Sequence, residues 1–303
     1  MKLNIHPDVA KALQSTAAPV VALESTLLAH GLPPSIRRKV ALELEELVRS
    51  HNAIPATIAI IDNEFCVGLN QDQLIRLTES ENVKKASVRD LAVALATGGV
   101  WATTVASTMY IAALASIRFF ATGGIGGVHR NAQDTFDESA DLFALATYPV
   151  AVVSAGAKAI LDLPKTIQRL ETLGVPVLGY RTSSFPGFYC PTKDLELNHR
   201  FVESRSLAQV VYNRFELLKQ GGVLIVQDPP EESAQDPVEV EEKIQSALAK
   251  ANANGVQGAQ TTPFLLQQLA EDSKGAFVET NLALVRNNVI LASKLASDFT
   301  RFV

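Results

Sequence analysis

Two side chains, Glu24 and Lys158, occupy positions in this sequence where proton transfer and covalent chemistry are feasible. Glu24 directly follows the apolar run Val20–Leu23, so we expect it at the rim of a buried strand, where partial desolvation favours a protonated carboxyl. Lys158 follows the apolar run Pro149–Val153 and is the only charge among small residues. A helix predicted to begin there favours the neutral amine, which is a nucleophile for carbonyl carbons. The alternatives are a helix cap or surface acid for Glu24 and a solvent-reaching lysine for Lys158.

Two further features predict a site for a small anion. Thr122–His129 contains four glycines in five residues after a predicted strand, and such loops let backbone amides approach an anion closely. The loop matches neither the dinucleotide pattern GxGxxG nor the Walker A pattern, which disfavours nicotinamide and ATP chemistry. Lys85 lies just ahead of a predicted helix start at Ser87, where a cation is unfavourable unless an anion is bound beside it. An ordinary turn and an exposed lysine are the alternatives.

An acidic segment and one histidine complete the candidates. If residues 134–141 are helical, Asp137 and Asp141 lie at i and i+4 on one face, and hard cations take carboxylate ligands of this kind. A solvated acidic first turn of a helix is the alternative. Among the histidines, His129 has the most suggestive position, at the end of the glycine-rich loop.

These residues need a scaffold, and the pattern of apolar runs predicts one. Short runs rich in Val, Ile and Ala alternate with longer helical patterns, which is typical of an α/β fold with a largely parallel central sheet. Strands are predicted at Pro19–Leu23, Ala56–Ile61, Glu64–Val67, Arg118–Ala121, Pro149–Val153, Val175–Gly179 and Gly222–Val226. Helices are predicted at Ser35–Arg49, Asn70–Glu79, Ser87–Ala96, Thr104–Ser116, Glu138–Leu145, Pro164–Leu173, Leu207–Lys219, Pro237–Ala253, Thr262–Glu271 and Asn281–Phe299. In such sheets ligands bind beyond the carboxyl ends of the strands, where the candidate residues lie.

Composition narrows the class of protein. With 303 residues, 47% hydrophobic and 19% charged, the chain can bury a large core and is not a disordered protein. The 27 basic and 32 acidic residues leave no basic excess for nucleic acid. Cys66 and Cys190 form no metal-binding pair, and no run is long enough to span a bilayer. We expect a cytoplasmic protein without a membrane partner, folded as a single catalytic domain over residues 1–303, with 227–237 as a surface loop.

The order of several long motifs resembles one known family. These motifs are Val21–Thr26 with His30-Gly31, Pro55–Ile60, Ala102–Thr108, Thr122–Arg130, Ser154–Lys158 with Ile160-Leu161-Asp162, Thr262–Leu266 and Asn287-Asn288. They are similar to the motifs of the pseudouridine-5′-phosphate glycosidases, also called pseudouridylate synthases or the indigoidine synthase A-like family, and they cover nearly the whole chain. The chain departs from the family pattern at Val100-Trp101, at Arg286 and at Gln227–Pro230, where the family often has Asn-Pro-Ile-Pro.

The resemblance implies a fold, a reaction and roles for individual residues. It implies a three-layer α/β/α sandwich, a homotrimer and one divalent ion per subunit, usually Mn²⁺. The implied reaction is reversible cleavage of the C–C glycosidic bond of pseudouridine 5′-phosphate into uracil and ribose 5-phosphate. By motif, Lys158 is implied as the nucleophile that forms a Schiff base, Glu24 as the proton donor and Asp137 as the metal ligand. Implied substrate contacts are Lys85, Val105, Thr122, His129, Ser139, Ala140, Asp141 and Asn281.

The chemistry of the implied bond agrees with these residue types. A C–C bond between ribose and uracil has no good leaving group, so the two-carboxylate scheme of ordinary glycosidases does not suffice. An imine at C1′ supplies an electron sink, and an acid can then protonate the uracil carbon. Two alternatives remain open: a lysine-dependent aldolase-type enzyme acting on another sugar phosphate, and a catalytically idle relative. Retention of Glu24, Lys85, Asp137 and Lys158 argues against the idle relative.

Overall fold

One mixed sheet forms the centre of the molecule. The computed structural model describes residues 3–15, 18–256, 261–273 and 275–303, and among these the sheet has eleven strands. They are β1 (Leu3–Ile5), β2 (Val20–Glu24), β3 (Ile54–Ile61), β4 (Glu64–Val67), β5 (Lys84–Ala86), β6 (Val100–Thr103), β7 (Phe119–Ala121), β8 (Ala151–Ser154), β9 (Val177–Tyr180), β10 (Arg200–Phe201) and β11 (Val223–Val226). Their order is β1-β4-β3-β2-β7-β8-β11-β9-β10, and β6 pairs with both β3 and β5.

The pairing is largely parallel, as predicted. Only β3–β4 and β3–β6 are antiparallel pairs among the described strands. The central strands β2, β7, β8 and β11 pair in parallel and consist almost entirely of buried apolar residues. Parallel strands covered on both faces show this continuous apolar pattern, so the α/β class inferred from the sequence is confirmed.

Helices flank the sheet. They are α1 (Pro7–Leu13), α2 (Thr26–His30), α3 (Arg37–Ser50), α4 (Gln71–Glu79), α5 (Leu91–Thr97), α6 (Val105–Leu114), α7 (Ala132–Thr135), α8 (Ala140–Thr147), α9 (Leu163–Thr172), α10 (Ser204–Tyr212), α11 (Pro237–Ala253), α12 (Thr261–Asp272) and α13 (Ala276–Phe299). The long helix α13 packs on β2, β7 and β8 and contacts α3 and α10, while α6 packs on β2 and β3 and contacts α8. In the described part of the chain, no helix is long and apolar enough to cross a membrane.

One break in the sheet determines where the site forms. Strand β3 pairs with β2 up to the Glu24–Ile58 pair, and beyond it the same side of β3 pairs with the antiparallel β6. Strand β5 adds to β6, which sets Lys85 opposite Ala102. The carboxyl end of β2 therefore faces the carboxyl end of β6, and Lys85 approaches Glu24 from the far side of that strand.

The predicted strands are all present, with ends shifted by a few residues. The elements that the sequence analysis did not predict are short. Strands β1, β5, β6 and β10 and helices α1, α2 and α7 were not predicted. Lys84–Ala86 becomes a strand only because β6 pairs with it, and two adjacent lysines carry no strand signal of their own. Two helix ends show ordinary capping: the Asp90 carboxylate accepts a hydrogen bond from Ser87 N at 2.9 Å ahead of α5, and Gly174 follows α9 with φ +67°.

Candidate active site

Glu24 lies at the carboxyl end of β2 beside Thr122, which follows the neighbouring strand β7. The Thr122 hydroxyl donates a short hydrogen bond to the Glu24 carboxylate. Burial raises the pKa of Glu24; the positive charge of Lys158 and the Thr122 hydrogen bond oppose this shift, and Asp141 adds to it. The predicted partly desolvated acid is therefore present, and its proton is retained to higher pH than that of a free glutamate.

A backbone ladder beyond the sheet positions Lys158. Thr122 N donates to Val153 O at 3.0 Å, Ala155 N to Gly123 O at 2.9 Å, and Lys158 N to Ile125 O at 3.0 Å. Residues 122–125 and 154–158 thus continue side by side past the ends of β7 and β8. This pairing brings the lysine loop alongside the glycine-rich loop, and Lys158 lies close enough to Glu24 for their charges to interact.

The expected helix start at Lys158 is wrong. Lys158 and the following turn precede α9, which begins only at Leu163, where the Asp162 side chain accepts from Lys165 N at 3.1 Å. Lys158 therefore lies in a loop, and the field of a helix N-terminus does not act on its amine in the way the sequence argument assumed. The proximity of Glu24 and Lys85 replaces it as the main electrostatic feature.

The glycine-rich loop is glycine-rich because it is crowded. A Cβ at Gly126 would lie 2.2 Å from Ser139 Oγ and 2.9 Å from Asp141 Oδ2, and a Cβ at Gly156 of the opposite loop would lie 2.4 Å from Pro186 O. Gly156 also has φ +80°, a backbone conformation that favours glycine. These glycines let the two loops approach the start of α8 and the 185–190 segment.

Asp141 joins two elements with one carboxylate. Its Oδ1 accepts from Ala106 N at 2.9 Å in the first turn of α6, and its Oδ2 accepts from Gly126 N at 2.7 Å in the glycine-rich loop. The residue is only 5% exposed. The alternative of a solvated acidic turn is therefore wrong for Asp141, and its buried charge acts on both Glu24 and Lys85.

The expectation that Asp137 and Asp141 share a helix face is also wrong. Helix α8 begins at Ala140, capped by Ser139 Oγ, which accepts from Asp141 N at 3.2 Å. Asn131 and Phe136 adopt left-handed conformations, with φ +66° and +55°, which confine helix α7 to the four residues between them. Asp137 consequently lies on a turn between two short helices rather than on the face that carries Asp141.

Lys85 lies on strand β5, two residues ahead of Ser87, where a short 3₁₀ turn leads into α5, so the predicted start at Ser87 is confirmed. Burial lowers the pKa of Lys85, and nearby Lys158 lowers it further, while Asp141 and Glu24 oppose the shift. The geometry thus brings two lysines and two carboxyl groups together at the break in the sheet. Such a cluster can bind an anion and share protons.

The outer rim of the site carries His129 and Asp137. His129 Nδ1 lies 3.8 Å from Asp137 Oδ2, and His129 N donates to Asp137 O at 3.0 Å. Burial lowers the pKa of His129, Asp137 opposes this shift, and Lys158 and Lys85 add to it. The Asp137 side chain is 42% exposed, and no group of three or more His, Cys, Asp or Glu side chains arranged for a metal exists among the described residues. These donors fit an ion held by one carboxylate and water, not a protein cage.

The remaining predicted contacts lie on helices α6, α8 and α13. Val105 begins α6 and is buried, whereas Ala140 in the first turn of α8 is exposed. Asn281 in α13 lies against Gly123, and its Oδ1 is buried with no hydrogen-bond partner among the residues that the structure describes. A buried acceptor without a partner is costly, so this oxygen is available to a ligand N–H.

Helix α13 also supports the glycine-rich loop through hydrogen bonds of Asn288. Asn288 Nδ2 donates to Thr122 O at 2.8 Å, and Asn288 Oδ1 accepts from Gln227 Nε2 at 3.0 Å. Arg286, one of the departures from the family pattern, points elsewhere and pairs with Glu43 of α3. At another departure, Asp228 follows β11; burial raises its pKa, and a hydrogen bond to Thr182 opposes that shift.

Sequence reasoning assigned no role to two groups near the site. Burial lowers the pKa of His30, as do Arg37 and Lys85, while a hydrogen bond with the Lys84 backbone opposes the shift. Ser25 Oγ accepts from Thr103 N at 2.8 Å and fixes the end of β6 beside Glu24. Both belong to the first motif of the resemblance, which was the available signal.

Comparison with known proteins identifies relatives along almost the whole chain. The family model described as indigoidine synthase A like protein matches residues 8–298. Two proteins named pseudouridine-5′-phosphate glycosidase, from Caldanaerobacter subterraneus and Escherichia coli, are each 46% identical and cover 99% of this chain, with 97% and 96% of their own lengths matched. A third of that name, from Frankia alni, is 51% identical over 93% of this chain and 78% of its own.

Solved structures agree in fold. The prealnumycin C-glycosynthase AlnA, in complex with ribulose 5-phosphate, is 36% identical and superposes with a TM-score of 0.91 over 100% of this chain and 98% of its own. An indigoidine synthase A-like protein from Thermotoga maritima is 28% identical with a TM-score of 0.89, over 99% and 97% of the two chains. The resemblance inferred from the motifs is confirmed: this chain belongs to the indigoidine synthase A-like family.

Proposed function

We propose that this protein cleaves the C–C glycosidic bond of pseudouridine 5′-phosphate reversibly, giving uracil and ribose 5-phosphate. The observation that carries the proposal is the pairing of a raised-pKa acid, Glu24, with Lys158 at the break in the sheet. The relatives that match nearly full length bear the name of this activity. We further propose that residues 1–303 act as one catalytic domain.

Lys158 is the nucleophile in this proposal. Its amine bonds to C1′ of the sugar as the bond from C1′ to the ring oxygen breaks. The ring oxygen takes a proton, and the attacking nitrogen loses one, which restores its lone pair. The nitrogen lone pair then forms the C=N bond of an imine while the bond from C1′ to C5 of uracil breaks and its electron pair stays on the base. Water hydrolyses the imine, which releases ribose 5-phosphate and regenerates the amine.

Glu24 supplies the proton that uracil C5 needs as it leaves. Burial keeps this carboxyl protonated to higher pH than a free glutamate, and the Thr122 hydroxyl fixes its orientation. General acid catalysis of this kind contributes about 10²–10⁴-fold to a rate. The reverse reaction uses the same groups, with the Glu24 carboxylate accepting the C5 proton.

The remaining groups bind the two halves of the substrate. Lys85 suits a phosphate or sugar oxygens, together with Thr122, Val105 and the segment Ser139–Asp141. Most amides of the glycine-rich loop already donate within the protein, namely those of Thr122, Ile125, Gly126, Val128 and His129. His129 and Asn281 face the base, where the unpartnered Asn281 Oδ1 can accept a uracil N–H.

We propose one Mn²⁺ or similar divalent ion per subunit, held by Asp137 and largely by water. Its chemistry would be electrostatic, offsetting substrate charge at the rim. Titration calorimetry with MnCl₂ tests this without turnover: wild-type protein should bind about one ion, and Asp137→Asn should abolish that binding. Binding unchanged in Asp137→Asn would assign the ion elsewhere.

The decisive experiment incubates purified protein with pseudouridine 5′-phosphate and MnCl₂ and follows uracil and ribose 5-phosphate by chromatography. Equal amounts of both products are expected, and mixing the products should regenerate substrate. Absence of both reactions would refute the function.

The aldolase-type alternative shares Lys158 and the phosphate site but not the base. The likeness to a C-glycosynthase bound to ribulose 5-phosphate favours C-glycoside chemistry over it. Cleavage of a ketose phosphate without any reaction of pseudouridine 5′-phosphate would favour the alternative.

We also propose that the protein is a homotrimer, as the family resemblance implies. Sedimentation equilibrium tests this directly: the mass expected is about three times that of one 32.6 kDa chain.

A further inference from the structure

Arg130 lies where the glycine-rich loop, the Lys158 loop and α11 meet. Its Nη1 and Nη2 donate to Glu241 Oε1 and Oε2 at 2.7 and 2.9 Å, in a bidentate pair with α11. Nη2 also donates to Ala159 O at 3.4 Å. The guanidinium therefore links α11 to the carbonyl of Ala159, the residue after Lys158.

A cavity lies behind this part of the Lys158 loop. It measures about 360 Å³ and is lined by Ala159, Leu161 and Pro164 on the loop side and by Val240, Glu241 and Ile244 on the α11 side. Close packing normally fixes a loop by contact on every side. Here open space replaces part of that contact, so polar links across the cavity have more influence on where the loop lies.

Hydrogen bonds fix the main chain on both sides of Lys158. Lys158 N is fixed on the inner side by Ile125 O at 3.0 Å, and Lys158 O accepts from Leu161 N at 3.0 Å. On the outer side, Arg130 holds the next carbonyl, that of Ala159. Farther along, Asp162 N donates to Val128 O at 2.9 Å, so Arg130 holds the outer side of the loop between the backbone bonds at Lys158 and Asp162.

We propose that Arg130 is a positioning residue for the Lys158 nucleophile, acting through the Ala159 carbonyl, with Glu241 fixing its guanidinium. The inference rests on the proposed function, since it requires that Lys158 form the imine. It assigns to the side chain that follows His129 a role distinct from substrate contact.

A positioning role for Arg130 predicts a large effect on the reaction rate and a small effect on folding stability. The side chains of Arg130 and Glu241 are 25% and 51% exposed, and an ion pair this exposed adds little to folding stability. A nucleophile misplaced by about 1 Å, in contrast, costs about 10²-fold in rate. If Arg130 served only to stabilise the fold, its loss would lower the melting temperature and change the rate little.

The test measures imine formation separately from uracil release. Wild type, Arg130→Met and Glu241→Gln are each mixed with saturating ribose 5-phosphate, and the adduct on Lys158 is trapped with borohydride over time and quantified by mass. Steady-state kcat and KM with pseudouridine 5′-phosphate and the melting temperature are measured in parallel. The matched control is Glu239→Gln, which breaks the Glu239–Lys243 pair on the same helix.

Arg130→Met should slow trapping and lower kcat by about ten- to a hundred-fold, with KM changed less than about twofold and the melting temperature near the wild-type value. Glu241→Gln should show the same pattern more weakly, and Glu239→Gln should match wild type. Wild-type trapping rates in both Arg130→Met and Glu241→Gln would overturn the proposal. Slower uracil release with unchanged trapping would also overturn it, because Arg130 would then act through His129.

If Arg130→Met does not fold, Glu241→Gln alone decides, because it keeps the shape and hydrogen-bonding capacity of the side chain. The wild-type measurement separates failure of the proposed function from failure of this proposal. Wild-type protein that neither traps the sugar nor releases uracil refutes the proposed function and this inference with it. Normal wild-type chemistry with unaffected variants refutes this inference only.

Discussion

The inner and outer halves of the site are built in different ways. Inside, Glu24 and Asp141 are desolvated, and defined donors hold their oxygens: the Thr122 hydroxyl for Glu24 and the amides of Ala106 and Gly126 for Asp141. On the rim, the Asp137 side chain is 42% exposed, and Phe136 beside it is 86% exposed in a left-handed conformation. The inner half is complete within the protein, whereas the rim offers groups with room for further partners.

We expect proton transfer and covalent chemistry in the buried inner half of the site and binding of substrate and ion at the rim. Burial inside the site shifts pKa values in opposite directions, raising that of Glu24 and lowering that of Lys85. An acid and an amine placed together in this way exchange protons more easily near neutral pH. Inner substitutions should therefore reduce rate, and rim substitutions should reduce affinity for substrate or ion.

The largest effect is expected for Lys158. Lys158→Ala removes the amine, and Lys158→Arg keeps a charge but cannot form an imine. Both should abolish uracil release and the borohydride-trapped sugar phosphate adduct, measured by intact mass and peptide mapping. Lys85→Ala is the control, because it should weaken substrate binding yet still allow an adduct on Lys158 at high sugar phosphate. An adduct on Lys85, or turnover in Lys158→Ala, contradicts the assignment.

Glu24→Gln should lower kcat by about 10²–10⁴-fold, because the amide keeps the shape of the acid but cannot deliver a proton. KM should change little. Imine formation from ribose 5-phosphate should survive better than uracil release, since only the latter needs a proton at C5. A raised KM with unchanged kcat would move Glu24 from the inner, chemical half to a binding role.

Gly126→Ala tests whether crowding at the loop holds the inner half together. Its Cβ would overlap Ser139 Oγ and press on Asp141 Oδ2, and relieving such an overlap typically costs about 1–3 kcal/mol. We expect a lower free energy of unfolding in urea and a loss of activity of at least tenfold, roughly 1.4 kcal/mol in barrier height. Gly174→Ala is the comparison: nothing lies within 4 Å of its Cβ position, but its φ of +67° strains an alanine. It should therefore lower the free energy of unfolding and keep full activity.

Asp137→Asn should show the pattern expected of the rim. Its activity should be low at micromolar Mn²⁺ and should recover partly as the concentration of the ion is raised. The protein's melting temperature without metal should equal that of wild type, because the side chain is exposed. An activity loss that no concentration of Mn²⁺ reverses would place Asp137 with the inner group.

The smallest effect concerns pH and stability. The pKa of Glu24 is raised in the folded state, so the native protein binds this proton more tightly than the unfolded chain does, and its contribution to stability decreases as pH rises past the ordinary glutamate value. The variant Glu24→Gln has no proton to lose at this position, so its stability does not fall with pH for this reason. The melting temperature of the variant minus that of wild type should therefore increase between pH 4 and pH 8, and a constant difference would contradict the raised pKa.

The sequence predicts the inner half better than the rim, for physical reasons. Glu24 and Lys158 follow apolar runs whose length and composition define parallel strands, so their place at the sheet edge follows from local pattern. Lys85 reaches the site through pairing of β5 with β6, which depends on residues distant in sequence.

The prediction that Asp137 and Asp141 share one helix is wrong for a local reason. Left-handed residues at Asn131 and Phe136 interrupt a segment whose acidic spacing otherwise indicates one helix. The roles of the site residues remain predictions, because they depend on a substrate that the fold alone does not define.

The bond from Asn288 to the Thr122 carbonyl has a consequence for how the protein is made. Asn288 belongs to α13, which follows every strand in the chain. During synthesis β2, β7 and β8 leave the ribosome first, and their apolar face lacks α13 until that helix emerges. The glycine-rich loop therefore lacks the support of Asn288 until α13 has been translated, so a nascent chain that ends before α13 has no finished site with which to engage substrate.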